Sequence, residues 1–226
     1  MAKNIKLTIL QKDTLIFFSK NLFAKNFYWT GGTLLSYCYL HHRNSVDLDF
    51  FSNDLFSDDQ YLIFINELKK FLKADKIILN VKNNRRLYLI KRKKEIVKLE
   101  LVYFPFVNLE KRKKISEFSI KVDSLTDIMV NKTLSAYQRK EVKDAYDLYF
   151  YLRKNPKYSL EKLINLVEKK FGVQIEPLIL LSKINALLDN LNSLKPLLLN
   201  PEKELNKKIR LFFQDNFNII AKKKIK

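Results

Sequence analysis

The chain contains very few of the residues that cross-link or punctuate a fold. Its 226 residues include one cysteine, three glycines and five prolines. A single cysteine excludes an intramolecular disulfide bond and fits a reducing compartment. No apolar run approaches the roughly 20 residues of a transmembrane helix, and Gln11, Lys12 and Asp13 interrupt the segment that would be the apolar centre of a signal peptide. We therefore expect a soluble, cytoplasmic protein.

Acidic residues are scarce relative to basic ones. Aspartate and glutamate total 24 against 43 lysines and arginines, which gives a net charge of +19, and 47% hydrophobic residues indicate a globular chain. The basic residues cluster in 83–95, 110–114 and 221–226. A codon bias toward lysine and asparagine is one source of such an excess. A field this positive nevertheless favours a polyanionic partner whatever its origin.

The hydrophobic pattern predicts two structural parts. Helical periodicity over 3–22 and 58–74 alternates with strand-like segments up to about residue 122, and only helical patterns follow Ser124. In the helix over 58–74, the core side is expected to carry Leu62, Ile65, Leu68 and Leu72. We therefore expect an α+β fold, in which a mixed sheet with flanking helices occupies 1–122 and a helical domain occupies 123–226.

Two of the three glycines are adjacent, Gly31 and Gly32, and Thr33 follows them. They lie between a predicted strand and a predicted helix, where a backbone without side chains can wrap a phosphate at a helix N-terminus. The sequence contains neither G-x-x-x-x-G-K-[ST] nor G-x-G-x-x-G, which argues against the P-loop and Rossmann classes. The pair is therefore interpreted as a phosphate-binding turn of another kind.

Asp47 and Asp49 are two residues apart on the strand predicted after this turn, so both carboxylates leave the same face. Two like charges on one face are stabilised by a divalent metal, although turn hydrogen bonds or surface ion pairs are the alternative. Beside a phosphate-binding turn, the pair predicts Mg²⁺ (or Mn²⁺) and nucleotidyl transfer. Glu100, a charge inside an apolar strand, is the candidate third ligand, and pairing with a lysine at a sheet edge is its alternative.

Two segments resemble a known family. The pattern GGT-x(7)-HHRNSVDLDFF over 31–51 resembles the signature of the AbiEii/AbiGii toxin nucleotidyltransferases, of the DNA polymerase β-like nucleotidyltransferase superfamily. Residues 125–152 resemble the later motifs of that family, a helix lysine followed by an arginine and an Asp-x-x-Asp-Leu-Tyr. The resemblance covers most of the chain and implies the nucleotidyltransferase fold.

The resemblance implies roles for residues at the matching positions. Gly31, Gly32 and Thr33 match the turn that contacts the β- and γ-phosphates of an NTP, and Arg43 falls in an element that could reach a phosphate. Asp47 and Asp49 match the metal-binding pair. The matches in the helical part are Lys132, expected to neutralise the triphosphate, and Asp144 and Asp147, which form the last acidic motif.

Without the resemblance, the helix residues have plainer explanations. Asp144 and Asp147 are spaced for i,i+4 pairing with Lys140 and Lys143. Lys132 is explained equally well as a surface lysine whose aliphatic stem packs along the protein. The sequence does not decide which of the two aspartates enters an active site.

The leading hypothesis is a toxin of a toxin–antitoxin or abortive-infection system, with a cognate antitoxin as partner. It would transfer a nucleotide from an NTP to RNA, with the tRNA 3′ end as the favoured acceptor, and release pyrophosphate. A protein adenylyltransferase of the same superfamily and a non-catalytic, basic nucleic-acid-binding module are the alternatives.

Overall fold

The computed structural model describes residues 5–199 and 203–225, with side chains up to 223 in the second range. The chain divides into two compact units after Ser124. The N-terminal unit contains a β-sheet with helices, and the described part of the C-terminal unit is helical. Among the described helices, none combines the length and the hydrophobicity needed to cross a membrane.

The N-terminal unit contains three α-helices and seven strands among its described residues. In chain order they are α1 (Ile9–Lys20), β1 (Tyr28–Thr30), α2 (Gly31–Leu34, continued by a π-helix over Leu35–Leu40), β2 (Asp47–Ser52), α3 (Asp58–Leu72), β3 (Lys76–Lys82), β4 (Arg85–Arg92), β5 (Glu95–Tyr103), β6 (Lys113–Ile115) and β7 (Ile120–Val122). A short 3-10 turn, Phe23–Asn26, joins α1 to β1.

The seven strands form one sheet in the order β3-β4-β5-β2-β1-β7-β6. The pairs β2–β5 and β1–β7 are parallel and the other pairs are antiparallel, so the sheet is mixed and the α+β prediction is confirmed. Two-residue turns connect β3 to β4 and β4 to β5, and both begin with a residue at positive φ, Asn83 at 52° and Lys93 at 53°. Such conformations give the turn a twist that matches the flanking strands.

One face of this sheet packs into an aromatic core under α1 and α3. Phe18 of α1 stacks on Phe50 of β2 with 3.7 Å between ring centroids. The predicted core side of α3 is partly wrong, because Leu62 is 58% exposed while Phe64 is buried. The Phe64 ring contacts aromatic rings from α1 and from the 3-10 turn. Burying these large rings rotates the helix away from the orientation that the leucine pattern favours.

The C-terminal unit contains five α-helices among its described residues. They are α4 (Leu125–Gln138), α5 (Val142–Lys154), α6 (Leu160–Phe171), α7 (Pro177–Leu187) and α8 (Leu205–Ile225), with a 3-10 segment over Leu188–Leu197. Gly172 ends α6 at φ +65° and Pro177 begins α7, as their positions favour. Pro201, where the sequence also predicts a break between helices, lies outside the described residues.

Candidate active site

The glycine pair forms the junction between β1 and α2. Gly31 has φ +77°, a conformation that side chains disfavour. A Cβ atom at Gly31 would lie 1.9 Å from Oδ2 of Asp49. The turn therefore needs glycine for two reasons, and its backbone lies directly against a carboxylate of the predicted metal-binding pair.

The second glycine packs against a buried guanidinium group. A Cβ atom at Gly32 would lie 3.0 Å from Nη2 of Arg43 and 3.1 Å from Oγ of Ser45. Arg43 is only 1% exposed, and its Nη1 donates a hydrogen bond to the carbonyl of Asn44. The positive charge of Arg43 thus lies next to the turn and within the protein.

The strand β2 presents the two aspartates in alternation with core residues. Leu48 and Phe50 are fully buried, while Asp47 and Asp49 are half-buried. This alternation follows from the two-residue period of side chains along a β-strand. The hydroxyl of Thr33 donates a hydrogen bond to the carbonyl of Asp47. This bond ties the helix after the glycine turn to the strand that carries the carboxylates.

The neighbouring strand β5 adds a third carboxylate and a lysine to the same face. In the parallel register, Asp47 lies opposite Lys98 and Asp49 lies opposite Glu100. The Lys98 Nζ atom is 2.7 Å from Oε1 of Glu100 and 3.5 Å from Oδ2 of Asp47. Arg85 Nη1 of β4 is 3.6 Å from the other Glu100 oxygen.

Burial would lower the pKa of Lys98, but the hydrogen bond to Glu100 and the charge of Asp47 outweigh it and raise that pKa. Lys98 is therefore a fixed cation among the carboxylates. Pairing with a lysine was the alternative for Glu100, and the contact with Lys98 is such a pair, although β5 lies inside the sheet and not at its edge.

The donor set fits a magnesium ion that keeps part of its water. Among the described residues, no group of three or more Asp, Glu, His or Cys side chains is close enough to enclose a metal. Mg²⁺ is commonly held by one or two carboxylates together with water and substrate phosphates. Asp47 and Asp49 supply two such oxygen donors from one face of one strand, so the chemistry of this pair suits the ion.

The helical unit brings its three predicted residues together in a second cluster. The Lys132 Nζ atom is 2.7 Å from Oδ1 of Asp144 and 2.8 Å from Oδ2 of Asp147. Arg139 Nε is 2.7 Å from Oδ2 of Asp144. Both aspartates are fully buried and Lys132 is 6% exposed. Lys132 is therefore an interior lysine that contacts both aspartates.

The charges around Asp144 favour its ionised form. Burial alone would raise the pKa of this carboxyl group, but the nearby Lys132 and Arg139 outweigh burial and lower it. Two cations and two carboxylates thus balance within the cluster.

A further buried ion pair lies elsewhere in the helical unit and was not predicted from the sequence. Lys170 Nζ of α6 is 2.6 Å from Oδ1 of Asp127 of α4, and the side chains are 2% and 0% exposed. Asp127 lies in the segment Ser124–Asp127, which resembles a helix-capping sequence. Its partner Lys170 lies 43 positions away in the sequence, so no local pattern could indicate the contact.

Two solved structures have a similar fold. Protein JHP933 of Helicobacter pylori aligns with a TM-score of 0.56 and 15% identity over 97% of both chains. A second Helicobacter pylori structure, described as a candidate nucleotidyltransferase, aligns with a TM-score of 0.57 and 17% identity over 94% of both chains.

Sequence comparison gives the family. The chain is 27% identical over 153 residues to uncharacterized protein aq_aa25 of Aquifex aeolicus, which covers 66% of this chain and 68% of that protein. Residues 15–218 match the family described as nucleotidyl transferase AbiEii toxin, type IV toxin–antitoxin system. The matched range contains the glycine turn, the three carboxylates of the sheet and the Lys132 cluster. The chain is therefore a nucleotidyltransferase and belongs to the AbiEii toxin family.

Proposed function

We propose that this protein is a metal-dependent toxin that transfers a nucleotide from an NTP to RNA and releases pyrophosphate. The approach of Gly31 to Asp49 carries the proposal. It places a side-chain-free turn suited to a triphosphate directly against a carboxylate pair suited to a divalent cation.

The sheet residues have distinct tasks in this reaction. Asp47 and Asp49 would hold Mg²⁺ (or Mn²⁺), and the bound ion would supply positive charge at the reacting phosphate. Glu100 would serve as third ligand by exchanging its contact with Lys98 for the ion. Gly31 and Gly32 offer backbone to the β- and γ-phosphates. The acceptor hydroxyl attacks the α-phosphorus, the bond to the bridging oxygen breaks, and pyrophosphate leaves.

We assign supporting roles to two cations. Arg43 is a positioning residue that supports the glycine turn and adds positive potential behind it, since its guanidinium group is buried. We assign Lys132 the task of the family's helix lysine, which is neutralisation of the triphosphate. Asp144 and Asp147 fix the direction of its ammonium group through the two short contacts.

The acceptor is RNA, with the tRNA 3′ end as the favoured site. The net charge of +19 supports a polyanionic acceptor over a protein hydroxyl group. Membership of a type IV toxin–antitoxin family implies that a cognate antitoxin counteracts the activity.

A transfer assay tests the proposal. Purified protein is incubated with each of the four labelled NTPs, with and without Mg²⁺, on tRNA, total RNA and a protein lysate. We expect Mg²⁺-dependent label in RNA and none after Asp49→Asn. The control Asp54→Asn removes an exposed carboxylate just beyond the same strand and should transfer normally. Label in the protein fraction alone would replace the RNA acceptor with a protein acceptor.

The helix lysine has its own matched control. Lys132→Met and Lys170→Met each remove a buried, ion-paired ammonium group from the helical unit. Both variants should lose stability, but only Lys132→Met should lose transfer activity per folded molecule. Equal activity of the two folded variants would remove Lys132 from the mechanism.

A further inference from the structure

The face of the sheet that carries Asp47 and Asp49 continues across three more strands. Side chains directly opposite each other in a ladder lie on the same face. The register pairs β2 with β5, β5 with β4 and β4 with β3. We call the resulting surface the open face. Its members on β3, β4 and β5 are Lys76, Ile78, Asn80, Lys82, Arg85, Leu87, Leu89, Lys91, Ile96, Lys98, Glu100 and the buried Val102.

The open face is largely exposed on β3 and β4 and at Ile96 of β5, and the other side of β4 and β5 is mostly buried, whereas the edge strand β3 is exposed on both sides. Ile78 is 47% exposed and Ile96 is 62% exposed, while Ile90 and Leu99 of the opposite side are fully buried. Apolar side chains in a row are unusual on a solvated surface unless something binds there. The open face is thus an accessible surface that leads to the predicted catalytic carboxylates.

Like charges lie directly opposite each other at both ends of the β3–β4 hairpin. Lys76 pairs with Lys91, and Lys82 pairs with Arg85. Directly opposed like charges destabilise a sheet. Arg85 approaches Glu100, but among the described residues no carboxylate lies within ion-pair distance of Lys76, Lys82 or Lys91. A bound polyanion would supply the missing negative charge.

We propose that the open face binds the sugar–phosphate backbone of the acceptor RNA and guides it toward Asp47 and Asp49. This inference rests on the proposed function, since it names the surface that presents that acceptor. Strands are about 4.8 Å apart, so β3 lies roughly 14 Å from β2 across the sheet. Phosphates of one strand can therefore contact Lys76, Lys82 and Lys91 while its end reaches the carboxylates.

The composition of the face also predicts how the RNA is recognised. Its twelve members on β3, β4 and β5 include no aromatic side chain, and Phe51, beside the aspartates on β2, packs against Tyr28 and Phe104. Base stacking on aromatic rings is the usual source of affinity for individual bases. Lysines contact phosphates without reading sequence. Binding at the open face should therefore be strong at low salt and insensitive to RNA sequence.

A salt titration of RNA binding tests the inference. The triple variant Lys76→Gln/Lys82→Gln/Lys91→Gln leaves out Arg85 and Lys98, which contact Glu100. Binding of a labelled single-stranded RNA and of a tRNA transcript is measured in EDTA, so that no transfer occurs. At about 0.7 per phosphate contact, the slope of log K against log salt should fall by about 2. This equals roughly a hundredfold loss of affinity at 0.1 M salt relative to 1 M.

The opposite edge of the same sheet supplies a matched control. Lys113→Gln/Lys114→Gln/Lys121→Gln removes the same charge from β6 and β7, where Lys114 also lies opposite Lys121. This edge has the same opposed lysines but lies beyond β1, on the other side of β2 from the open face. The variant should therefore retain nearly the whole slope if position on the open face, and not opposed like charge, binds the RNA. Equal losses in both triple variants would show that net charge alone binds RNA, and an unchanged slope in the first would exclude the open face.

Lysines on an edge strand can also prevent sheets from pairing edge to edge. If the first triple variant forms oligomers while its monomers bind RNA normally, edge protection replaces RNA binding as the role of these residues. The transfer assay tests the proposed function independently of this surface. Label in protein alone would overturn the proposed acceptor, whereas loss of slope in EDTA concerns only this surface.

Discussion

Substituting Gly31 by alanine perturbs the candidate site at one atom. The added Cβ would lie 1.9 Å from Oδ2 of Asp49, and ordinary contact begins near 3.4 Å. The carboxylate oxygen must therefore retreat by about 1.5 Å. Since misplacement of a reacting group by about 1 Å costs on the order of a hundredfold in rate, we expect kcat/KM to fall at least a hundredfold, or about 2.7 kcal/mol in the barrier.

The same substitution also strains the backbone, and Gly172→Ala measures that contribution alone. Both glycines have positive φ, +77° and +65°, but a Cβ at Gly172 meets no atom within 4 Å. A left-handed conformation costs a non-glycine residue about 1–2 kcal/mol. Both variants should lose that much free energy of unfolding, and only Gly31→Ala should lose activity.

Gly32→Ala separates the two glycines. Its Cβ would meet Arg43 at 3.0 Å without any positive φ, so we expect weaker NTP binding with an intact fold. Unfolding by denaturant and steady-state transfer to RNA are measured on all three variants. Full activity of Gly31→Ala with a folded structure would refute the claim that the turn and Asp49 form one site.

Three ion-pair perturbations follow from the same geometry. Asp127→Asn should lower the free energy of unfolding by about 3–5 kcal/mol, because it removes the carboxylate that faces the buried Lys170 ammonium group. Denaturant titration measures this loss of stability. Lowering the pH from about 6 to 3 should destabilise the wild type more than Asp144→Asn. The pKa of this carboxyl group is lower in the folded state than its unfolded value of about 3.9, so its contribution to the free energy of unfolding is lost progressively below that value. Denaturant titration at each pH measures the loss. Lys98→Gln should bind Mg²⁺ about tenfold more tightly, because it removes an ammonium group that lies 3.5 Å from Asp47 and competes with the cation for this carboxylate. The rise of Tm with Mg²⁺, without nucleotide, reports the affinity.

Each of these outcomes has a control within the chain. Asp127→Leu combined with Lys170→Met should restore most of the stability that the single change loses, because no buried charge remains; a double variant as unstable as Asp127→Asn would contradict this. Parallel pH profiles for wild type and Asp144→Asn would contradict the assignment of the acid sensitivity. Lys91→Gln, on the same face but away from the carboxylates, should leave Mg²⁺ affinity nearly unchanged.

The local parts of the site could be predicted from the sequence. The alternation around Leu48 fixes which side of β2 carries the two aspartates, because a strand has a period of two wherever it lies. The positions of Gly31 and Gly32 between a strand and a helix are equally local. Both features were therefore available before any tertiary structure was known.

Features that depend on partners distant in sequence could not be predicted. Aromatic rings from α1 and the 3-10 turn pack against Phe64 of α3, so the prediction was wrong for Leu62, although Leu68 and Leu72 are buried as expected. The approach of Lys98 to Asp47 depends on the register of β5 against β2. The short strand β6 was missed because its residues, Lys113–Ile115, lie in a basic run that has no alternating pattern.

The strand register separates the basic residues of the run 83–95 onto two faces of β4. On the core side of β4, Arg86 has Asp58 as its partner and Arg92 has Asp13 at 2.6 Å. On the open face, Lys91 lies opposite another lysine. A codon bias changes the number of lysines but has no means of distinguishing two faces of a strand. Arg85, on the same face, approaches Glu100, so the charges left opposed there are Lys91 with Lys76 and Lys82 with Arg85, and a polyanion that lies along the open face would neutralise them.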